Sequence, residues 1–183
     1  MLVPRILSCK RPSYKLRLKR ALGEKHMKII KATTSEVPDI VSLNYHVQKI
    51  HHLAHPEVFK PAIADGTTAS YFENLILQDA HNFHLAYIGS DPVGYVWYMV
   101  KENSESPLEY SRKRMAINHI AVHEDFRRKN IGSALLEEVR KNAVERSISS
   151  IELGTWQFNI EAQSFFKAHG FENFTVNLWC QVS

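Results

Sequence analysis

The sequence predicts a mixed α/β layer fold. Apolar residues recur with a period of two in some segments and about 3.6 in others, in the order strand, helices, strands, helix, strand, helix, strand. Residues 115–122 form an apolar run of the kind a buried central strand carries. The chain's 183 residues suffice for one domain with a real core, and no repeat or low-complexity linker divides it.

Met27 to Ala32 alternates as a short strand. Thr34 or Ser35 is placed to N-cap the next segment, with Pro38 inside its first turn. A helix over about 36–54 follows from the spacing of Val37, Ile40, Val41, Leu43, Val47, Ile50 and Leu53. Residues 55–61 break it. A second helix lies within 65–80, capped by Thr67 or Thr68. Phe83, Leu85 and Tyr87 mark a strand over 83–88. Residues 89–92 make a turn, and 93–100 are a strand antiparallel to the previous one if that turn is a hairpin. A polar loop carrying Arg112, Lys113 and Arg114 leads to the central strand 115–122, whose only polar members are Asn118 and His119. Residues 131–146 form an amphipathic helix with Ile131, Leu135, Leu136, Val139 and Ala143 on its apolar side. Another strand lies within 147–156. The helix 159–169 is closed by Gly170 in a left-handed C′ position, with Phe171 making the accompanying apolar contact. Residues 174–182 alternate as the last strand.

The 44% hydrophobic and 23% charged fractions are those of a soluble globular protein. No apolar run approaches the ~20 residues that span a bilayer, so no membrane is expected as a partner. Cys9 and Cys180 sit at opposite ends and give neither a disulfide framework nor a metal spacing. A reducing compartment fits, and a cytoplasmic location is expected. The net charge of +4 is unevenly spread. Residues 1–26 hold eight of the 23 Lys and Arg and only Glu24 of the 19 acids, leaving 15 basic against 18 acidic residues in the remainder. The basic character therefore belongs to the extension and argues against nucleic acid as the partner of the domain. For residues 1–26 three readings stay open: a basic arm, a transit peptide, or a stretch foreign to the native protein with Met27 as its start. The expected domain is 27–183.

The chemistry is concentrated in the passage from the central strand into the amphipathic helix. After Val122 comes a charged turn, Arg127-Arg128-Lys129-Asn130-Ile131-Gly132-Ser133, in which helix-opening N–H groups lie beside three cationic side chains. Such a place binds phosphate. Asn130 tolerates positive φ, and Gly132 lets backbone approach an anion closely. An isolated turn of this composition is more often a solvated basic bend. No P-loop or dinucleotide fingerprint is present.

The segment resembles the acetyl-CoA motif of the GNAT N-acetyltransferase superfamily, Q/R-x-x-G-x-G/A, with Arg127, Asn130 and Gly132 at its three positions. Asn130 departs from the usual Gly. Farther on, Asn159-Ile160-Glu161-Ala162 through Phe165-Phe166 to Gly170-Phe171 looks like the superfamily's N-x-x-A-x-x-F-Y-x-x-x-G-F helix. The resemblance implies a GNAT-type fold, a central mixed, mostly antiparallel twisted sheet flanked by helices. It implies an acetyl-CoA-dependent N-acetyltransferase, moving an acetyl group from acetyl-CoA to a primary amine on a small molecule or a protein N-terminus. Acetyl-CoA would be a co-substrate, with its diphosphate on Arg127, Arg128, Lys129, Asn130, Ile131, Gly132 and Ser133. Its pantetheine arm would pair with Ile120, Ala121 and Val122, with Asn159 on the other wall and Ala162, Phe165 and Phe166 flanking the thioester. A backbone N–H near Val122 would steady the oxyanion.

Phe166 stands where many members of the superfamily carry Tyr, the acid for the leaving thiolate. This departure motivates an alternative, a catalytically weak acyl-CoA-binding regulatory module. His119 is the first candidate for a base, set against a plain buried histidine, and Asn118 could instead hold a water. His51 and His55 stand at i, i+4, but no carboxylate completes H-E-x-x-H, so no metal is expected. By resemblance the first two helices border the acceptor pocket, where Tyr45, His52, Phe59, Trp97 and Trp156 are the candidate lining residues. Each of those aromatics would serve equally as core. Two copies pairing as a homodimer through the last strand would be unsurprising.

Overall fold

The computed structural model describes residues 26–63 and 66–182. The expectations for the basic extension and Cys9, and for Asp65 at the start of the second helix, lie outside the described residues. Five strands form one sheet in the order β1 (Met27–Lys31), β2 (His81–Ile88), β3 (Asp91–Asn103), β4 (Arg112–Val122), β5 (Ile151–Leu153). Neighbours are antiparallel except β4 and β5, which are parallel. The mixed, mostly antiparallel sheet is the one expected.

Helices cover both faces. On one side lie α1 (Val37–Ala54) and α2 (Thr67–Ile76), and on the other α3 (Ile131–Glu145). The strands sort their side chains between these layers by alternation. In β3, Val96 and Tyr98 join the core under α3, whereas Tyr95 and Trp97 join the core under α1 and α2. Val93 also joins the α3 side, because the register shifts there between Gly94 and Pro92 and interrupts the alternation. The remaining helix, α4 (Ile160–Ala168), follows β5. It closes as expected: Gly170 has φ 81, its N–H bonds Lys167 O, the Phe171 N–H bonds Phe166 O at 3.0 Å, and the Phe166 and Phe171 rings meet at 5.5 Å.

Several boundaries differ from the expectation. Thr33, not Thr34 or Ser35, caps the turn that leads into α1. Its hydroxyl receives Ser35 N–H, and Glu36 reaches back to its N–H at 2.7 Å. Gly66, with φ 82, takes the cap position of α2 in place of a threonine. Arg112, Lys113 and Arg114 belong to β4 rather than to a loop, because they pair with Asn103, Glu102 and Lys101 of β3; Arg112 and Arg114 also both form ion pairs with Glu152 on β5. The largest correction concerns residues 174–182. They form no strand, and Phe174, Val176, Leu178, Trp179 and Val182 stay exposed. Alternation gives strand propensity, but a strand needs an edge to pair with, and β5 offers only three residues.

Candidate active site

The cationic turn is built as a cradle of amides. After β4 a short 3₁₀ turn, Glu124–Phe126, swings the chain out, and Arg128 and Asn130 then adopt left-handed φ of 59° and 62°. α3 starts without a side-chain cap, and the first bond back to its opening residue is Ala134 N–H to Asn130 O at 3.0 Å. The N–H groups of Ile131, Gly132 and Ser133 therefore precede the helical ladder, at the positive end of the helix dipole. Ser133 Oγ lies 2.9 Å from His169 Nε2, and His169 Nδ1 lies 2.8 Å from Phe165 O. The carbonyl takes the Nδ1 hydrogen, so a neutral His169 accepts the serine hydroxyl.

The cations do not all face the amides. Arg127 reaches Glu161 at 3.2 Å, and Lys129 folds back onto Asp125 O at 2.9 Å and over the Phe126 ring at 4.7 Å. Gly132 has a reason beyond anion approach. A Cβ there would stand 3.2 Å from the Phe165 ring, so the glycine seats α4 against the opening turn of α3.

Beside this turn β4 leaves main-chain groups uncovered. Its pairing with β5 ends at Ile117↔Leu153. His123 N–H bonds Val93 O at 2.9 Å while Gly94 lies opposite Val122, so Val122 sits at a non-hydrogen-bonded position of the β3 ladder. By the same alternation so does Ile120. The N–H and C=O of Ile120 and Val122 are thus turned to the side that β5 has vacated. A cleft of about 310 Å³ adjoins Val122 and Arg127, walled by Val47, Ile50 and Leu53 of α1. This explains why Ile50 and Leu53 are exposed although they lie on the apolar stripe. His46 and Lys49 also line the cleft.

A β-bulge shapes the other end of the gap. Trp97 pairs with His119 and Tyr98 with Ile117, which leaves Asn118 as the extra residue. Its Nδ2 is buried without a partner among the described residues. The His119 ring rests 5.2 Å from that of Trp97, and its Nδ1 is 3.1 Å from Tyr95 Oη. Burial pushes the His119 pKa down to about 4, with the nearby His51 charge adding to the effect.

The profile of the acetyltransferase (GNAT) family matches residues 47–171, which include the gap, the turn and α4. The chain belongs to the acetyltransferase (GNAT) family. It is 33% identical over 102 residues to an uncharacterised N-acetyltransferase of Methanocaldococcus jannaschii, a match covering 56% of this chain and 44% of that protein. The matched part thus spans less than half the length of that curated relative. Among solved structures, the BH1408 protein of Bacillus halodurans, crystallised as a tetramutant, superposes with a TM-score of 0.80 at 18% identity. That match covers 85% of this chain and 99% of the other. The aminoglycoside N-acetyltransferase AAC(6')-Iy, solved with a bisubstrate analogue of CoA and acetylneamine, gives a TM-score of 0.68 at 15% identity, covering 86% and 99%. At these identities the two structures speak for the fold alone.

Within this GNAT chain the expected site residues do not all come together. Asn159 caps α4, its Oδ1 receiving Ala162 N–H at 3.1 Å, so only its Nδ2 remains for another partner. Phe165 packs on Gly132. Phe166 is buried between Phe165 and Phe171, where its ring closes the helix end. Trp97 is core: its ring stacks on Phe83 and its N–H goes to His81 Nδ1 at 3.0 Å, yet one side meets His119. Phe59 and Trp156 meet at 4.8 Å and enclose His51, which stacks on Phe59 at 4.8 Å. His55 and Phe158 extend that ring cluster. His52 instead ties the chain after α1 in place, its Nδ1 2.7 Å from Phe59 O, and Tyr45 borders a separate small hollow between α1 and α2. Phe158, His169, Asn44 and Tyr95 were not foreseen. Each acts through a residue far away in sequence, so no local pattern announces it.

Proposed function

We propose that the protein is an acetyl-CoA-dependent N-acetyltransferase acting on a primary amine of a small molecule or a protein N-terminus. The observation that carries this reading is the juxtaposition of unpaired opening amides on α3 with main-chain groups of Ile120 and Val122 turned into an open gap. Each amide given to a diphosphate oxygen contributes on the order of 1.5–3 kcal/mol, and the helix end adds about 0.3–1 kcal/mol. No described helix is long and apolar enough to cross a membrane. The exposed Cys180 thiol suits a reducing cytoplasm.

In this reading the CoA diphosphate lies on the amides of Ile131, Gly132 and Ser133, and the pantetheine arm pairs with Ile120 and Val122. Asn159 Nδ2 is the available donor on the far wall, with Ala162 and Phe165 beside the arm. The neutral amine attacks the acetyl carbonyl carbon. An N–C bond forms, the C–S bond breaks, and the thiolate leaves. The Val122 N–H and the unpaired Asn118 Nδ2 are the donors at hand for the developing oxyanion or for a water.

His119 takes the amine proton. With a pKa about 4 it is too weak to strip a free ammonium. It can receive the proton once the forming N–C bond has made that nitrogen acidic. Phe166 has no hydroxyl and is buried, so solvent protonates the thiolate. The ring cluster of His51, Phe59 and Trp156, electrostatically coupled to His119 through His51, forms the acceptor wall.

Calorimetry with CoA, followed by thiol release from acetyl-CoA across a panel of amines, tests the proposal. Binding together with amine-dependent thiol release is expected. Binding without turnover would favour the second reading that Phe166 suggests, a regulatory acyl-CoA-binding module. The absence of CoA binding would remove both. A Gly132→Val variant is expected to weaken CoA binding about tenfold or more, equivalent to about 1.4 kcal/mol. Its new side chain must displace Phe165, and the opening turn moves with it. Wild-type CoA affinity in that variant would place the diphosphate elsewhere. The exposed apolar residues of 174–182 support pairing of two copies through this segment.

A further inference from the structure

A buried chain of polar groups runs from α1 to His119 along the face of the sheet that α1 covers. Asn44 is 6% exposed and Tyr95 is fully buried. Tyr95 Oη lies 3.0 Å from Asn44 Oδ1 and 3.1 Å from His119 Nδ1. The phenol has one hydrogen and two neighbours that want it. Burial raises its pKa far beyond the working range, so the hydrogen is present at every relevant pH. Asn44 presents its oxygen, which can only accept. The phenol hydrogen therefore goes to Asn44, and the contact at His119 closes only if Nδ1–H donates to Tyr95 Oη. A neutral imidazole with its hydrogen on Nδ1 has its lone pair on Nε2.

We propose that Asn44 and Tyr95 are positioning residues that hold His119 as the Nδ1–H tautomer, so that Nε2 is the atom which takes the amine proton. The inference rests on the reading of His119 as the base. It adds which nitrogen acts and what enforces it. It also ties the base to α1, whose later residues line the cleft beside the cationic turn. The groups in the chain come from three separate elements, 51 and 24 residues apart in sequence. Packing of α1 on the sheet is thus a condition for a correctly protonated base.

The geometry predicts opposite tautomers for two variants of similar shape. In Asn44→Leu the phenol keeps its hydrogen and loses its acceptor, so it turns to His119 Nδ1 and drives the ring's own hydrogen onto Nε2. In Tyr95→Phe the ring loses its Tyr95 partner at Nδ1, the one it has among the described residues, and the tautomers mix. Nitrogen-15 NMR of the histidine-labelled protein at neutral pH reads this directly, without any acceptor. Wild type should show the Nδ1–H form, Asn44→Leu the Nε2–H form. In turnover, kcat should fall about tenfold to a hundredfold in both variants, the usual cost of losing a group that orients another, while the KM for acetyl-CoA stays put. An Nε2–H imidazole in the wild type would overturn the proposal, as would an Asn44→Leu protein that keeps the Nδ1–H signal and the wild-type kcat. If Asn44→Leu does not fold, the loss of a single tautomer in Tyr95→Phe decides the matter. Should the wild type acetylate no amine, the functional reading fails while the NMR result still settles the tautomer.

Discussion

A His119→Asn variant is expected to lose about a hundredfold or more in kcat, with the KM for acetyl-CoA within about twofold of wild type. Asparagine places an amide near the position of Nδ1, so the contact to Tyr95 survives and only Nε2 is removed. A loss confined to kcat would mark a group acting in the transition state. The pH profile sharpens the test. Desolvation holds the imidazole at a pKa of about 4, so His119 is neutral and competent above that value and is lost only below it. Between pH 5 and 8 the one rising limb in kcat/KM should belong to the acceptor's own ammonium and move when the acceptor is changed. A limb near 6.5 that stays fixed across acceptors and vanishes in His119→Asn would show a solvated histidine and sink the assignment. Folding carries the same sign. The unfolded chain binds a proton here at about 6.5 and the native one only near 4. Stability from this group is therefore full above pH 6.5 and is lost as pH falls toward 4, by about 2–3 kcal/mol. Acid unfolding of His119→Asn, followed by circular dichroism, should be correspondingly shallower.

The parts of this site that a sequence can announce are those whose cause is local. The cationic turn was legible because an apolar strand, an Asn and a Gly at turn positions, and an amphipathic helix follow one another without interruption from Met115 to Arg146. The closure of α4 was legible for the same reason, since Gly170 and Phe171 satisfy carbonyls only a few residues back. What escaped was non-local. Asn44 reads as one polar residue on a helix, and Tyr95 as one aromatic in a strand. Their meaning appears only when β3 is laid beside β4 and under α1. The bulge was half visible. Asn118 and His119 interrupt an apolar run, but only the register against β3 shows that the interruption is an inserted residue. Residues 174–182 mark the opposite error, a strand pattern with no edge assigned to it. Arg112, Lys113 and Arg114 read as a loop because they are polar and charged, and only the register against Lys101, Glu102 and Asn103 of β3 shows them to be strand.

Replacing Gly94 by valine is expected to destabilise the fold by about 3 kcal/mol or more and to weaken CoA binding in whatever fraction stays folded. Gly94 is where β3, β4 and α3 meet. A Cβ on it would stand 2.7 Å from the carbonyl oxygen of Ala121 on β4, and 3.2 Å from both Ile131 Cγ2 and Leu135 Cδ1 on α3. The first of these is backbone and cannot turn aside. The other two belong to side chains that are 1% and 0% exposed and have no room to give. Relief requires β3 to part from β4 or the start of α3 to lift. Either movement disturbs the same object, because Ile131 opens α3 and its amide is one of the three that precede the helical ladder. The absence of a side chain at Gly94 is therefore what lets the cationic turn lie against the strand whose main chain faces the gap. Gly94→Ala, adding the Cβ alone, should lower the melting temperature and raise the Kd for CoA together. Gly154→Ala, where a Cβ meets nothing within 4 Å, should change neither. If Gly94→Val melts like wild type and binds CoA normally, the turn does not depend on close packing against β3, and the link drawn here between the sheet and the CoA site is wrong.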